Sequence, residues 1–210
     1  MKPEATTLII ARHGNTFGPG DIVTRVGKTD LPLVESGRRQ GRLMGKYLAQ
    51  HRLVPDVIFT SHLQRTRQTA DEAEAEMGTK LPRQALEIFN EIDYGPDENQ
   101  PEDKVRARLG EEALLAWDKH AIVPQGWHVE PEKIILAWKE FAAHIAQEYQ
   151  GKKVLVVTSN GIARFAVHLA EEAASQQKDT LKIATGALCV FTHAERGWQC
   201  SAWNIRPDKL

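Results

Sequence analysis

Short, unbroken apolar runs alternate along the chain with longer stretches in which apolar positions recur every three or four residues, and the two patterns predict different elements. Leu8-Ile9-Ile10-Ala11, Asp56 to Thr60 and Val154 to Val157 read as buried strands. A helix is predicted over Gly37 to His51, with Leu43, Met44, Tyr47 and Leu48 on one face and Gly41 and Gly45 allowing close packing. Ser61 stands where a second helix would be capped. Glu102 to His120 is amphipathic through Val105, Leu109, Leu114 and Trp117. Pro131 begins a further helix that runs to Gln150, buries Ile134, Ile135, Trp138, Phe141, Ile145 and Tyr149, and stops at Gly151. Leu86 to Phe89 reads as a short strand. Ala187 to Thr192 and Trp198 to Asn204 read as a hairpin closed by Ala194 to Gly197. Strands alternating with helices and ending in a hairpin imply an α/β fold, a three-layer sandwich. Its central sheet would be mainly parallel and flanked by helices, with one antiparallel edge strand.

Size and charge narrow the picture. At 210 residues the chain suits a single domain, 1–210, with the region around 96–130 as an insertion or cap. With 27 basic and 28 acidic side chains the net charge is −1, so no overall field marks a nucleic-acid or membrane-surface partner, and any anion site must be local. Cys189 and Cys200 are the two cysteines and are expected as thiols on paired strands. Residues 1 to 7 are too short and polar for a signal peptide, and no apolar run approaches the ~20 residues that span a bilayer, so a cytoplasmic protein is expected.

The candidate chemistry gathers where the first strand ends. Ligands of α/β sheets collect at the carboxyl ends of strands, where Arg12, His13 and Gly14 would emerge. Arginine offers a fork matched to phosphate, histidine can be a nucleophile near neutral pH, and Gly14 would let the backbone approach a ligand. Taken alone, these residues also suit a strand cap and a surface ion pair. The Phe17 to Leu33 loop is too long for a simple turn. Arg65 falls in the first turns of the second helix, where an anion could dock. The carboxylates of Asn90 to Pro96 either supply an acid to the site or belong to a solvated turn. The third strand turns through Thr158-Ser159-Asn160-Gly161 into a helix bearing Arg164.

Taken together, Arg12-His13-Gly14-Asn15-Thr16, Leu33 to Gln40, Ser61 to Ala70 and Glu91-Ile92-Asp93-Tyr94-Gly95 resemble the histidine phosphatase superfamily, the phosphoglycerate mutase-like group. The resemblance implies that His13 attacks phosphorus and becomes a phosphohistidine. It implies that Arg12 and Arg65 bind the nonbridging oxygens and that Glu91 is the general acid. Thr16 and the backbone near Gly27 match positions lining the phosphate or substrate side. The family's second histidine is missing: anchored on Arg164 its position is Ser159, and a one-residue slip would make it Asn160. Pro19, His62 and Pro96 also depart from the family's pattern. His62 would lie beside the phosphate corner, where it could replace the lost donor, or else cap or pack.

The resemblance implies a phosphatase acting on a small phosphomonoester, with weakened or altered catalysis and with no metal or other cofactor. A protein that binds a phosphorylated ligand without turnover is the alternative, and a phosphoglycerate mutase-type isomerase a third. The partner is a small phosphorylated substrate or ligand, with no nucleic acid and no membrane, and no oligomeric state is assigned. Trp117, Trp127 and His128 could line a roof over the pocket, or the tryptophans could pack in the core.

Overall fold

A computed structural model describes residues 5–170 and 181–210. Six strands form one sheet: β1 (Thr6–Arg12), β2 (Val57–Thr60), β3 (Arg83–Ala85), β4 (Lys153–Thr158), β5 (Leu188–Ala194) and β6 (Gly197–Ile205). Their order is β3-β2-β4-β1-β5-β6. The first four are parallel, with Arg12 opposite Thr158 and Thr60 opposite Val157. β5 is antiparallel to both of its neighbours. The antiparallel part is therefore a hairpin pair rather than one edge strand.

Period-two alternation explains why the runs are apolar without interruption, since successive strand residues face opposite sides. Leu8, Ile10, Phe59, Val154 and Val156 join Trp138, Phe141 and Ile145 of α5 (Pro131–Glu148) on one face. Ile9, Ala11, Ile58, Leu155 and Val157 meet Met44 and Leu48 of α1 (Glu35–Gln50) and Ala70 of α2 (Gln64–Met77) on the other. Gly45 lets α1 and α2 touch: a Cβ there would lie 2.4 Å from the Ala73 carbonyl oxygen.

Three local expectations are corrected. The strand after α2 is Arg83–Ala85, and Glu87–Phe89 is a 3-10 turn that buries Phe89 against Trp138 and Phe141. Ser61 does not cap α2, which starts three residues later; its Oγ instead accepts the Leu63 N–H and pairs with Thr66 Oγ1 at 2.8 Å. The helix over 102–120 is broken into α3 (Glu102–Leu109) and α4 (Glu111–His120) by Gly110, whose φ of 80° a helix cannot contain. Cys189 and Cys200 are free thiols on the paired strands β5 and β6.

Candidate active site

The ends of β1 and β4, central and adjacent, deliver the site. The His13 N–H donates to the Thr158 carbonyl at 3.0 Å, so the strand pairing itself fixes the residue after Arg12. His13 Nδ1 lies 2.7 Å from the Gly14 carbonyl oxygen, which can only accept, so the proton is on Nδ1. Nε2 carries the lone pair and accepts from Arg65 Nε at 3.1 Å. Burial, then the charges of Arg65 and Arg12, hold the imidazole well below its ordinary pKa of 6.5. The ring is therefore held neutral at physiological pH, with its lone pair on Nε2.

Arg65 is positioned by a turn from the long loop. Its Nη1 donates to the Thr29 carbonyl at 2.8 Å and its Nη2 to that of Gly27 at 2.6 Å. With Nε on His13, one N–H on each Nη has no further partner among the described residues. The turn is held from behind by Glu98, which accepts the Thr29 N–H at 2.8 Å, the Thr29 hydroxyl at 2.7 Å and the Gly27 N–H at 3.1 Å. Arg12 enters from β1; its Nη1 donates to the Ile183 carbonyl at 2.7 Å and its Nε has no partner among the described residues.

Glu91 completes the inner end. Its carboxyl accepts the N–H of Ile92 at 2.9 Å and of Gly161 at 3.1 Å. Gly161 is needed for this, since a Cβ there would lie 2.3 Å from Glu91 Oε1. Burial raises the Glu91 pKa above its ordinary 4.5 against the opposing pull of these N–H groups and of Arg65 and Arg12.

These side chains open into a cavity of about 520 Å³, whose walls include Arg12, His13, Thr16, Arg65, Glu91 and Asn160. Asn160 begins the short helix α6 (Asn160–Ala163); its Oδ1 accepts the Ile183 N–H at 2.8 Å, which turns its amide nitrogen the other way. Ser159 is fully buried outside the lining, and its Oγ has no partner among the described residues.

Not every candidate reaches the cavity. Gly27 acts through its carbonyl on Arg65. His62 is exposed, with its N–H on Asn90 Oδ1 at 2.9 Å and its ring beside the Asn90 amide, so it does not lie at the phosphate corner. The close approach at Gly14 is to Gly37, 2.3 Å from a Cβ placed there, rather than to a ligand. Trp117 and Trp127 are core residues in edge-to-face contact, and His128 is exposed. Among the described residues no group of three His, Cys, Asp or Glu side chains could hold a metal ion. Sequence reasoning missed Glu98, which sits in an acidic stretch that reads as a solvated turn. It also missed the outer cavity wall, where Arg25, Glu102, Arg106, Asp118 and Lys182 meet from three separate segments.

A family model for the histidine phosphatase superfamily (branch 1) matches residues 8–206. The chain belongs to that superfamily. A 2,3-bisphosphoglycerate-dependent phosphoglycerate mutase of Rhizobium meliloti is 29% identical over 191 residues, 88% of this chain and 89% of the relative. Among solved structures, Bacillus stearothermophilus YhfR superposes with a TM-score of 0.75 at 24% identity, covering 95% of this chain and 97% of that one. The alpha-ribazole phosphatase from Shigella flexneri does so with a TM-score of 0.70 at 20% identity, covering 95% and 96%. This member of the superfamily thus shares the fold of those proteins, and its Arg12, His13, Arg65 and Glu91 converge on one cavity from three separate segments.

Proposed function

We propose that this histidine phosphatase hydrolyses a small phosphomonoester through a phosphohistidine at His13. The Nε2 lone pair attacks phosphorus and the bond to the leaving oxygen breaks, with Glu91 giving that oxygen its proton. Water then attacks the phosphohistidine, the N–P bond breaks, and Glu91 takes back a proton. Arg12 and the two uncommitted N–H groups of Arg65 hold the nonbridging oxygens. The observation that carries this reading is the His13 ring itself: its Nδ1 is tied to Gly14, so the lone pair is on Nε2, where it meets the Arg65 guanidinium in a cavity that Arg12 and Glu91 also line.

In this account Asn160 occupies the place of the second family histidine, offering an amide donor to the phosphoryl group. The chain acts as one domain, with 96–130 as the roof: Glu102, Arg106 and Asp118 line the cavity while Val105 and Trp117 join the main core. Among the described residues no helix is long and apolar enough to cross a membrane.

A binding protein without turnover is the second reading, favoured by serine and asparagine at 159 and 160. The name of the Rhizobium meliloti relative favours a mutase, and that of the Shigella flexneri structure a phosphatase. Hydrolysis of p-nitrophenyl phosphate by wild type and by His13→Ala across pH 5 to 8 separates them. Activity lost in the variant supports the phosphatase; activity equal in both removes His13 from the reaction.

A further inference from the structure

The inner end of the cavity holds two guanidiniums, Arg12 and Arg65, and a phosphomonoester brings about two negative charges to them. The outer wall is different. Arg25 is paired with Glu102 at 2.7 Å, and its guanidinium also lies over the rings of Tyr94 and Trp127 at 5.5 and 5.3 Å. Arg106 is paired with Glu111. Leu181 donates its N–H to the Asp118 carbonyl at 3.1 Å, which brings Lys182 and Asp118 into the same wall. A smaller cavity of about 170 Å³ continues from this wall and is lined by the same three cations and three carboxylates. Counting Glu111, which lines the smaller cavity and pairs with Arg106, the described part of this wall sets three cations against three carboxylates.

We infer that the alcohol released from the substrate is polar and carries no net charge. The inference rests on the phosphoryl end being placed at His13, and it names what occupies the other end. Once the phosphate has neutralised Arg12 and Arg65, a second anion would enter a wall where Arg25 and Arg106 already have carboxylate partners. Its lost hydration would be poorly compensated, and it would face Glu102 and Asp118 as like charges. A neutral hydroxylated head, or a zwitterionic one, finds both donors and acceptors in that wall. This excludes a second phosphate and a lone carboxylate on the leaving group, and so separates the site from one that handles a bisphosphorylated acid.

Three phosphates on one three-carbon skeleton test the inference: glycerol 3-phosphate, with a neutral head, O-phosphoserine, with a zwitterionic head, and 3-phosphoglycerate, with an anionic head. Binding is measured by calorimetry on His13→Ala and on wild type, with kcat/KM alongside for wild type. The first two should bind about tenfold or more tighter than the third, and Glu102→Gln, which removes one negative charge from the wall, should narrow the gap. Equal affinities, a preference for 3-phosphoglycerate, or binding of none of the three overturns the inference. Ordered binding without turnover upholds the charge preference and overturns the phosphatase reading, so the two failures are told apart.

Discussion

Arg65 Nε donates to His13 Nε2 across 3.1 Å, so the guanidinium points at the lone pair that would attack phosphorus. Burial, with the charges of Arg65 and Arg12, keeps the imidazole neutral, and in the proposed reaction this bond is exchanged for a nonbridging oxygen as phosphorus arrives. Arg65 can make the exchange without moving far, because the Gly27 and Thr29 carbonyls hold its two Nη atoms.

Arg65→Lys therefore removes more than it keeps. A lysine has one nitrogen and cannot satisfy two carbonyls, His13 and a phosphoryl group together. The expected loss in kcat/KM is about 10²–10³-fold. Steady-state kinetics check this, with circular dichroism to confirm the fold; a loss under threefold would remove Arg65 from the phosphoryl site.

The proposed mechanism needs His13 neutral and Glu91 protonated, and the two shifts act in opposite directions. The lowered His13 pKa moves the acid limb of the kcat/KM profile well below 6.5, and the raised Glu91 pKa moves the alkaline limb above 4.5. As pH rises through the Glu91 value, the proton for the leaving oxygen is lost and kcat/KM falls. Glu91→Gln should lower kcat by about 10²–10⁴-fold and flatten the alkaline limb. An unchanged alkaline limb in that variant would assign the proton to another group.

Asn160 and Ser159 make different predictions. Asn160 lines the cavity with its amide oxygen anchored on Ile183, so Asn160→Ala should cost about 10²-fold in kcat as a lost phosphoryl donor. Ser159 lies outside the lining, and Ser159→Ala removes a buried hydroxyl without a described partner, so kcat should change less than threefold. Kinetics on the pair decide the matter, and the reverse order would return the histidine position to Ser159.

The loop that follows His13 leans on the start of α1. A Cβ at Gly37 would lie 2.2 Å from the Asn15 carbonyl oxygen, backbone that cannot step aside. Gly37→Ala should destabilise by about 1–3 kcal/mol or more. Gly18→Ala meets nothing nearer than 3.6 Å and should stay within about 0.5 kcal/mol. Urea melts of the two variants compare them directly.

Much of this was legible in residue order. Leu8 to Ala11 and Val154 to Val157 are apolar on both faces because helices cover both, and the chemistry appears where such runs stop. Arg12, His13, Arg65 and Glu91 carry their types in recognisable surroundings. Glu98 was not legible, since its value lies in backbone N–H groups about seventy residues away. The break at Gly110 and the strand at Arg83–Ala85 depend on packing and on pairing with β2. His62 follows a motif serine, yet the turn before α2 directs it to Asn90 and away from the cavity.

The most direct test of the central claim is to trap the intermediate: wild type and His13→Ala are mixed with p-nitrophenyl phosphate, quenched in base within milliseconds to seconds, and searched by mass spectrometry for a phosphorylated peptide. The account predicts an acid-labile, base-stable phosphate on His13 in wild type and none in the variant. Phosphate release by wild type with His13 unmodified, or turnover that survives in His13→Ala, would contradict it.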